Sequence, residues 1–279
     1  MKTILVTGAT GFIGQHVIAD LSNCDCEIIA VSRHRKEKYS NINYISCDIH
    51  DPLEVCEKIL TVPDTIIHLA WPDLPNYDKL FHFETNLIQD YNFIKEMIKN
   101  GTNHILITGS CFEYGLKNGK LSEITPTDPI TPYGISKDTL RKFLQSLNNK
   151  IPYSLQWVRI FYLYGTGQNK NSILSQLDMA IDRGDPIFNM SKGEQLRDYI
   201  SVGEVSKRIC FLAKHPEYDG IYNCCSGTPI SIRNLVEEHI KKRNSNIKIN
   251  PGYYKYNDYE PMAFWGDNTK LETIYRGEY

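Results

Sequence analysis

The chain has 279 residues, 41% hydrophobic and 23% charged, enough to build one large α/β unit with a smaller appendage. Thirty-one Lys and Arg against 33 Asp and Glu leave a net charge of -2, so no global basic field draws it to nucleic acid or an anionic membrane. A mean hydropathy of -0.38 and the lack of any apolar run near ~18 residues exclude a membrane span. The apolar start Met1–Val6 is too short for a signal peptide, so a cytoplasmic location is expected. None of the eight cysteines forms a C-x-x-C pair, which predicts reduced thiols filling core positions and no metal site.

In chain order, β-branched runs predict strands at 2–7, 27–32, 42–48, 65–70, 104–110 and 154–160. Helical patterns fall between them, at 12–22, 52–60, 83–100 and 133–148. This alternation predicts a parallel sheet covered on both faces. Beyond Gly165 it weakens, with helices at 172–183 and 231–242 (the latter capped by Ser231) and short strands at 186–188 and 221–224. The expected division is a cofactor-binding domain over 1–165. Residues 166–279 should form mainly a small C-terminal α/β substrate-binding subdomain packed on it, with some strands returning to the sheet.

Thr7-Gly8-Ala9-Thr10-Gly11-Phe12-Ile13-Gly14 follows the first strand and opens the first helix. Gly8 suits a sharp turn, Gly11 lets backbone amides approach a pyrophosphate, and Gly14 lets helix and strand pack closely. The helix N-terminus adds the partial positive charge an anion needs. Thr10, Phe12 and Ile13 lie in the same loop, and the whole predicts a Rossmann-type doubly wound sheet. At the end of the second strand, where NAD-binding chains place an acid for the ribose hydroxyls, stand Ser32, Arg33 and Arg35. Arginine suits a 2′-phosphate, so NADP is expected, with NAD as the alternative.

Tyr133 and Lys137 are four residues apart, on one face of a helix preceded by Pro132. An ammonium beside a phenol should lower the tyrosine pKa from about 10 toward working pH, making Tyr133 a general acid or base.

With these residues in place, the chain resembles the extended short-chain dehydrogenase/reductase family of nucleotide-sugar epimerases, dehydratases and reductases. The resemblance runs through TGATGFIG at 7–14, Cys47-Asp48-Ile49, His68-Leu69-Ala70, Asn86, Gly109–Gly115, the Tyr133/Lys137 pair, Arg159–Gly165, Arg197-Asp198-Tyr199-Ile200 and Tyr222-Asn223. It implies that Ser110 polarises the substrate carbonyl and that Lys137 holds the nicotinamide ribose. Asp48 and Ile49 would flank adenine, while Leu69, Ala70 and Trp71 would border the cofactor. Ile160 and Phe161 would meet the nicotinamide, and Arg197 the substrate diphosphate, with Asp198 orienting its loop. Trp71, Cys111, Phe112 and Tyr162 complete the implied substrate contacts, and a homodimer through 83–100 and 133–148 is the family habit.

Departures from the family narrow the chemistry. The Asp-Glu pair that dehydratases carry after the active-site Ser or Thr is Cys111-Phe112 here, and Phe112 cannot move a proton. The epimerase-reductases that make GDP-fucose place a cysteine base at the position Phe112 occupies, so Cys111 reads as packing. Tyr162 replaces the family asparagine in R-x-F-N-x-Y-G. What remains is hydride transfer with one proton donor. The expectation is NADPH-dependent reduction of a nucleotide-linked 4-keto-6-deoxysugar, dTDP-4-dehydro-6-deoxyglucose by resemblance, for surface polysaccharide. The alternatives are a 4-epimerase with tightly held NAD and a non-catalytic NADP sensor.

Overall fold

The structure, a computed structural model, describes residues 2–34 and 37–277. Its first part runs β1 (Thr3–Thr7), α1 (Gly14–Leu21), β2 (Glu27–Ser32), β3 (Ile42–Ser46), α2 (Pro52–Lys58) and β4 (Thr65–His68). It continues with α3 (Leu87–Lys99), β5 (His104–Ser110), β6 (Gly119–Leu121), α4 (Pro132–Asn148) and β7 (Ser154–Ile160). Then come β8 (Tyr162–Tyr164), α5 (Ile173–Arg183), β9 (Ile187–Asn189), β10 (Leu196–Ser201), α6 (Val202–Lys214) and β11 (Gly220–Cys224). The chain closes with β12 (Pro229–Ser231), α7 (Ile232–Lys242), β13 (Lys248–Asn250), β14 (Phe264–Gly266) and α8 (Thr269–Arg276).

Seven parallel strands form the main sheet in the order β11-β7-β5-β4-β1-β2-β3. This is the doubly wound Rossmann-type arrangement, and the strand order reverses beside β1, where such sheets open a crevice at their carboxyl ends. Both faces are covered, so the strands read as continuous apolar runs. Ile4 and Val6 of β1 face a core completed by Val17 and Ile18 of α1 and Ile209 and Leu212 of α6. Leu5 faces the opposite core, with Phe93 and Ile94 of α3 and Leu140 and Leu144 of α4. Near the amino ends of three strands a buried polar row runs Thr65–His104–Gln156. Gln156 spends its amide protons on the carbonyls of His215 and Tyr218 at 2.8 and 2.9 Å. Its Oε1 therefore accepts from His104 Nε2 at 2.9 Å, leaving Nδ1 to accept from Thr65 at 3.1 Å.

Several predicted elements shift in ways that shape the crevice. The third strand ends at Ser46 and the fourth at His68, releasing 47–49 and 69–71 to turn into it. The helix predicted from Phe83 begins as a π turn, His82–Asn86, before α3. The largest difference is α6, which the sequence reading leaves without a helix although it covers one face of the sheet.

Beyond β7, β10 pairs with β8 and β12, while β9 pairs with β13. Leu177, Phe188, Met190, Ile232 and Val236 make a separate small core. β14 returns to pair with β6. Cys24, Cys26, Cys47, Cys111, Cys210, Cys224 and Cys225 are free thiols. Among the described residues no helix is long and apolar enough to cross a membrane, and no group of three His, Cys, Asp or Glu could hold a metal ion.

Candidate active site

A cleft of about 1160 Å³ opens at the carboxyl ends of the sheet, between it and the C-terminal elements. Its wall gathers the sequence-predicted site residues: the 8–14 loop, Ser32, Arg33, Asp48, Ile49, 69–71, 110–112, Tyr133, Lys137, 160–162 and Arg197. Arg35 lies outside the described residues.

The glycine loop is shaped by close approach. Gly8 has φ 66°, and a Cβ there would lie 2.8 Å from the Ala70 nitrogen; at Gly14 it would lie 2.1 Å from the Gly8 carbonyl oxygen. No side chain caps the first turn of α1, and no acidic residue occupies it. The Gln15 and His16 amides turn back to the Gly11 and Ile13 carbonyls at 3.1 and 3.0 Å, so an anion in the cleft meets the helix dipole and the loop residues Gly11–Ile13 ahead of it. A dinucleotide's pyrophosphate fits this cradle. At the end of β2, Ser32 donates to the His34 carbonyl at 2.8 Å and Ser46 to the Arg33 carbonyl at 3.0 Å. These bonds fix the turn while the Arg33 side chain stays exposed at the cleft edge.

Tyr133 sits at the start of α4, whose N-cap Thr131 accepts from the Gly134 amide at 3.1 Å. Its ring is caged by Trp71, Tyr77, His82 and Phe112, at centroid distances of 6.0, 5.5, 5.4 and 6.0 Å. Trp71 donates to His82 Nδ1 at 3.1 Å, so His82 donates through Nε2 to the Asn76 carbonyl at 2.9 Å. Burial lowers the His82 pKa and keeps that imidazole neutral.

Here the structure corrects an expectation. Burial raises the Tyr133 phenol well above its ordinary range, with only a hydrogen bond to Ser110 working the other way. Lys137 is not turned on the phenol. Its ammonium donates to the Thr108 carbonyl at 3.0 Å and lies 3.8 Å over the Trp71 ring. Burial pushes Lys137 itself down to about 8, against the pull of Asp90 and Glu113.

Ser110 is held from two sides. Its hydroxyl accepts from the Phe112 amide at 3.2 Å, which leaves the hydroxyl proton free to donate. Its own amide donates to Glu113 at 2.8 Å. Fully buried Glu113 also accepts from Trp157 Nε1 and Arg159 Nε, both at 2.8 Å. The sequence reading missed Glu113 as a support; the spacing Ser110-x-x-Glu113, a capping box, was its signal. It also missed buried Asp90, which accepts from His50 at 2.7 Å and lies 3.4 Å from His68 Nε2. Burial works to raise its pKa, but the two imidazoles outweigh that and hold it near about 2.

On the substrate side, Cys111 is buried, and desolvation with the nearby Glu260 charge drives its thiol far up, so it supplies no thiolate. Asp198 accepts from the Ser226, Gly227 and Gly266 amides at 2.7, 2.9 and 3.2 Å, which makes it the anchor of that loop. Arg197, expected to face a diphosphate, reaches the cleft but donates to Glu260 at 3.0 Å and to the Leu196 carbonyl at 2.8 Å.

A profile of the NAD-dependent epimerase/dehydratase family matches residues 4–225. The chain is 30% identical to dTDP-6-deoxy-L-talose 4-dehydrogenase (NAD(+)) of Aggregatibacter actinomycetemcomitans, over 94% of this chain and 98% of that protein. It is 25% identical to the Escherichia coli dTDP-4-dehydro-6-deoxyglucose reductase, over 88% and 83%. In fold it is similar to a UDP-N-acetylglucosamine 4-epimerase of Methanobrevibacter ruminantium solved with UDP-N-acetylmuramic acid, with a TM-score of 0.87 at 24% identity, covering 98% of this chain and 91% of that one. The uncapped glycine loop, the Ser110/Tyr133/Lys137 cluster and these matches agree: the chain belongs to the NAD-dependent epimerase/dehydratase family, within the extended short-chain dehydrogenases/reductases.

Proposed function

We propose that the protein reduces the 4-keto group of a nucleotide-linked 4-keto-6-deoxysugar, with dTDP-4-dehydro-6-deoxyglucose as the first candidate and NADPH as the preferred reductant. The reading rests on one observation above the others: Tyr133 lines the cleft next to Ser110 and Lys137, and burial keeps its phenol protonated. A protonated phenol is what a ketone needs when it becomes an alcohol. Phe112 has no proton to move, and Cys111 is kept neutral by burial.

The nicotinamide cofactor, held by the glycine loop, Asp48–Ile49, 69–71, Lys137 and 160–161, supplies the hydride when bound. Tyr133 hands its proton to the substrate oxygen, and the Ser110 hydroxyl donates to that same oxygen as negative charge develops. The Lys137 ammonium, bonded to the Thr108 carbonyl and sharing the Trp71 ring with Tyr133, is the positive charge of the site when Tyr133 is left as a phenolate. Residues 166–279 form the sugar-nucleotide side of the cleft, while β11 returns to the sheet. Arg33, exposed just past the carboxyl end of β2, where no acid stands, supports NADPH over NADH. The relative at 30% identity is named for oxidation at C4 of a dTDP-linked 6-deoxysugar, the same carbon and the same kind of hydride exchange. Association through α3 and α4 is supported by Ile88, Ile135 and Phe143, which those helices leave exposed.

Purified protein is given dTDP-, GDP- and UDP-linked 4-keto-6-deoxysugars with NADPH and, in parallel, NADH. Consumption of reductant with at least one sugar is the expected result. No consumption, together with NAD that stays bound through purification, replaces the reductase by an epimerase.

A further inference from the structure

Glu260 lies on the segment between β13 and β14, and nothing in the proposed chemistry uses it. Its two oxygens are both engaged: Oε1 accepts from the Tyr162 hydroxyl at 2.6 Å and Oε2 from Arg197 at 3.0 Å. Arg197 has little left to offer a ligand. Its side chain is 1% exposed, its Nη1 donates to the carbonyls of Leu196 and Met262, and its guanidinium lies 4.9 Å from the Phe264 ring centroid. Glu260 retains 16% side-chain exposure and lines the same cleft as Tyr133.

The carboxylate is also close to the reacting end of that cleft. The neighbouring Tyr259 ring lies 6.3 Å from Phe112 and 6.4 Å from Tyr77. Those two rings pack on Tyr133 at 6.0 and 5.5 Å. One aromatic layer therefore separates the Glu260 segment from the phenol. Tyr162, which stands where the family places an asparagine, holds one oxygen of Glu260, while the Arg197 ion pair holds the other.

We propose that Glu260, clamped by Tyr162 and Arg197, is a specificity-determining residue that confines the sugar subsite to hexoses without a carboxylate and excludes uronic acids. The inference rests on the nucleotide-sugar reading above. A hexose with a methyl or hydroxymethyl group at C6 brings no charge to this wall. A uronate brings a second carboxylate beside Glu260, in a site shielded from water, while the cation that would greet it is already paired.

The test is calorimetric binding to the full chain of UDP-glucose and UDP-glucuronic acid, the same pair on dTDP, and free UDP and dTDP. Wild type should bind the neutral sugar at least tenfold more tightly than the uronate on the same nucleotide. Glu260→Gln, which keeps an acceptor for Tyr162 and frees the Arg197 charge, should close or invert that ratio with the neutral sugar within threefold of wild type. Tyr162→Phe, which leaves the carboxylate and Arg197 in place, should keep the discrimination. An unchanged ratio in Glu260→Gln, or no discrimination by wild type, overturns the inference alone. Failure of free UDP and dTDP, and of free GDP titrated beside them, to bind overturns the nucleotide-sugar reading, and the inference with it.

Discussion

Replacing Glu113 by glutamine probes the support of the site without touching the cleft wall. One side chain takes three short bonds from buried donors, the Ser110 amide, Trp157 Nε1 and Arg159 Nε, all at 2.8 Å, and Arg141 Nε lies 3.7 Å away. Glutamine has only one acceptor oxygen. If that oxygen faces Ser110 and Trp157, its NH2 points at Arg159 and leaves a buried guanidinium without its counter-charge. If it is turned toward Arg159, two buried N–H groups face an NH2. Orphaned donors cost ~1–3 kcal/mol each, and a broken buried ion pair ~3–5 kcal/mol. Either orientation thus loses about 3–5 kcal/mol, a large share of the ~5–15 kcal/mol that holds a domain together. At roughly 2–4 °C per kcal/mol for a chain of this size, Tm should fall by about 10 °C. The Ser110 amide loses its tether, so kcat should fall at least tenfold with the cofactor Kd little changed. Differential scanning fluorimetry and steady-state kinetics on the same preparation read both effects. A Tm drop under about 2 °C with unaltered kcat would refute the view that this buried carboxylate organises Ser110.

Tyr133→Phe should lower turnover by roughly 10²–10⁴-fold and leave the NADPH Kd, followed by fluorescence, within threefold; turnover near wild type sinks Tyr133 as the proton donor. Arg33→Ala should weaken NADPH about tenfold or more through loss of a charge-assisted contact and barely change NADH, whereas equal weakening of both assigns Arg33 to solvent. Lys137 is charged below its pKa of about 8, so activity should decline as pH rises through that value. Lys137→Arg should push the alkaline limb upward, and a limb that stays put belongs to another group. His104 is held neutral by burial, with its pKa down at about 4. The unfolded state, with histidine near ~6.5, binds the extra proton first. Stability is therefore fully present above about pH 6.5 and is lost toward pH 4, by about 3 kcal/mol in all. Urea midpoints at pH 7 and 4.5 should diverge less in His104→Gln; an identical divergence clears His104.

Much of this arrangement is legible in the residues themselves. The β1 run, the 8–14 glycines and the Tyr133/Lys137 spacing each carry a local physical signature. β2 and β5 follow from short β-branched apolar stretches, IIAV and ILI, and β7 from apolar positions alternating with Gln156 and Arg159. α6 carries an apolar stripe at helical spacing, Val202, Val205, Ile209 and Leu212, which the reading of the sequence passed over. Its start was also announced by Ser201-x-x-Glu204, where Ser201 accepts from the Glu204 amide at 3.2 Å. The three-residue strands β6, β8, β12, β13 and β14 hold no period to read, whereas β9 was expected at 186–188 and stands at Ile187–Asn189. The Glu113 and Glu260 networks join residues 46 and 98 positions apart. No local window contains such pairs, and the direction of the Tyr133 pKa depends on an aromatic cage that brings the 71–82 segment and Phe112 onto α4.

The placement of α6 and β11 has a consequence for the order in which the molecule can be made. While the chain has emerged only as far as β7, the face of Ile4, Val6 and Leu106 lacks α6, and β7 is an unpaired edge awaiting β11. About sixty further residues must follow, which at ~5–20 residues per second is several seconds of synthesis. During that interval the cofactor half is a sticky, half-clad sheet. The two halves are thus interwoven by topology, and the nascent protein commits to its fold late and all at once.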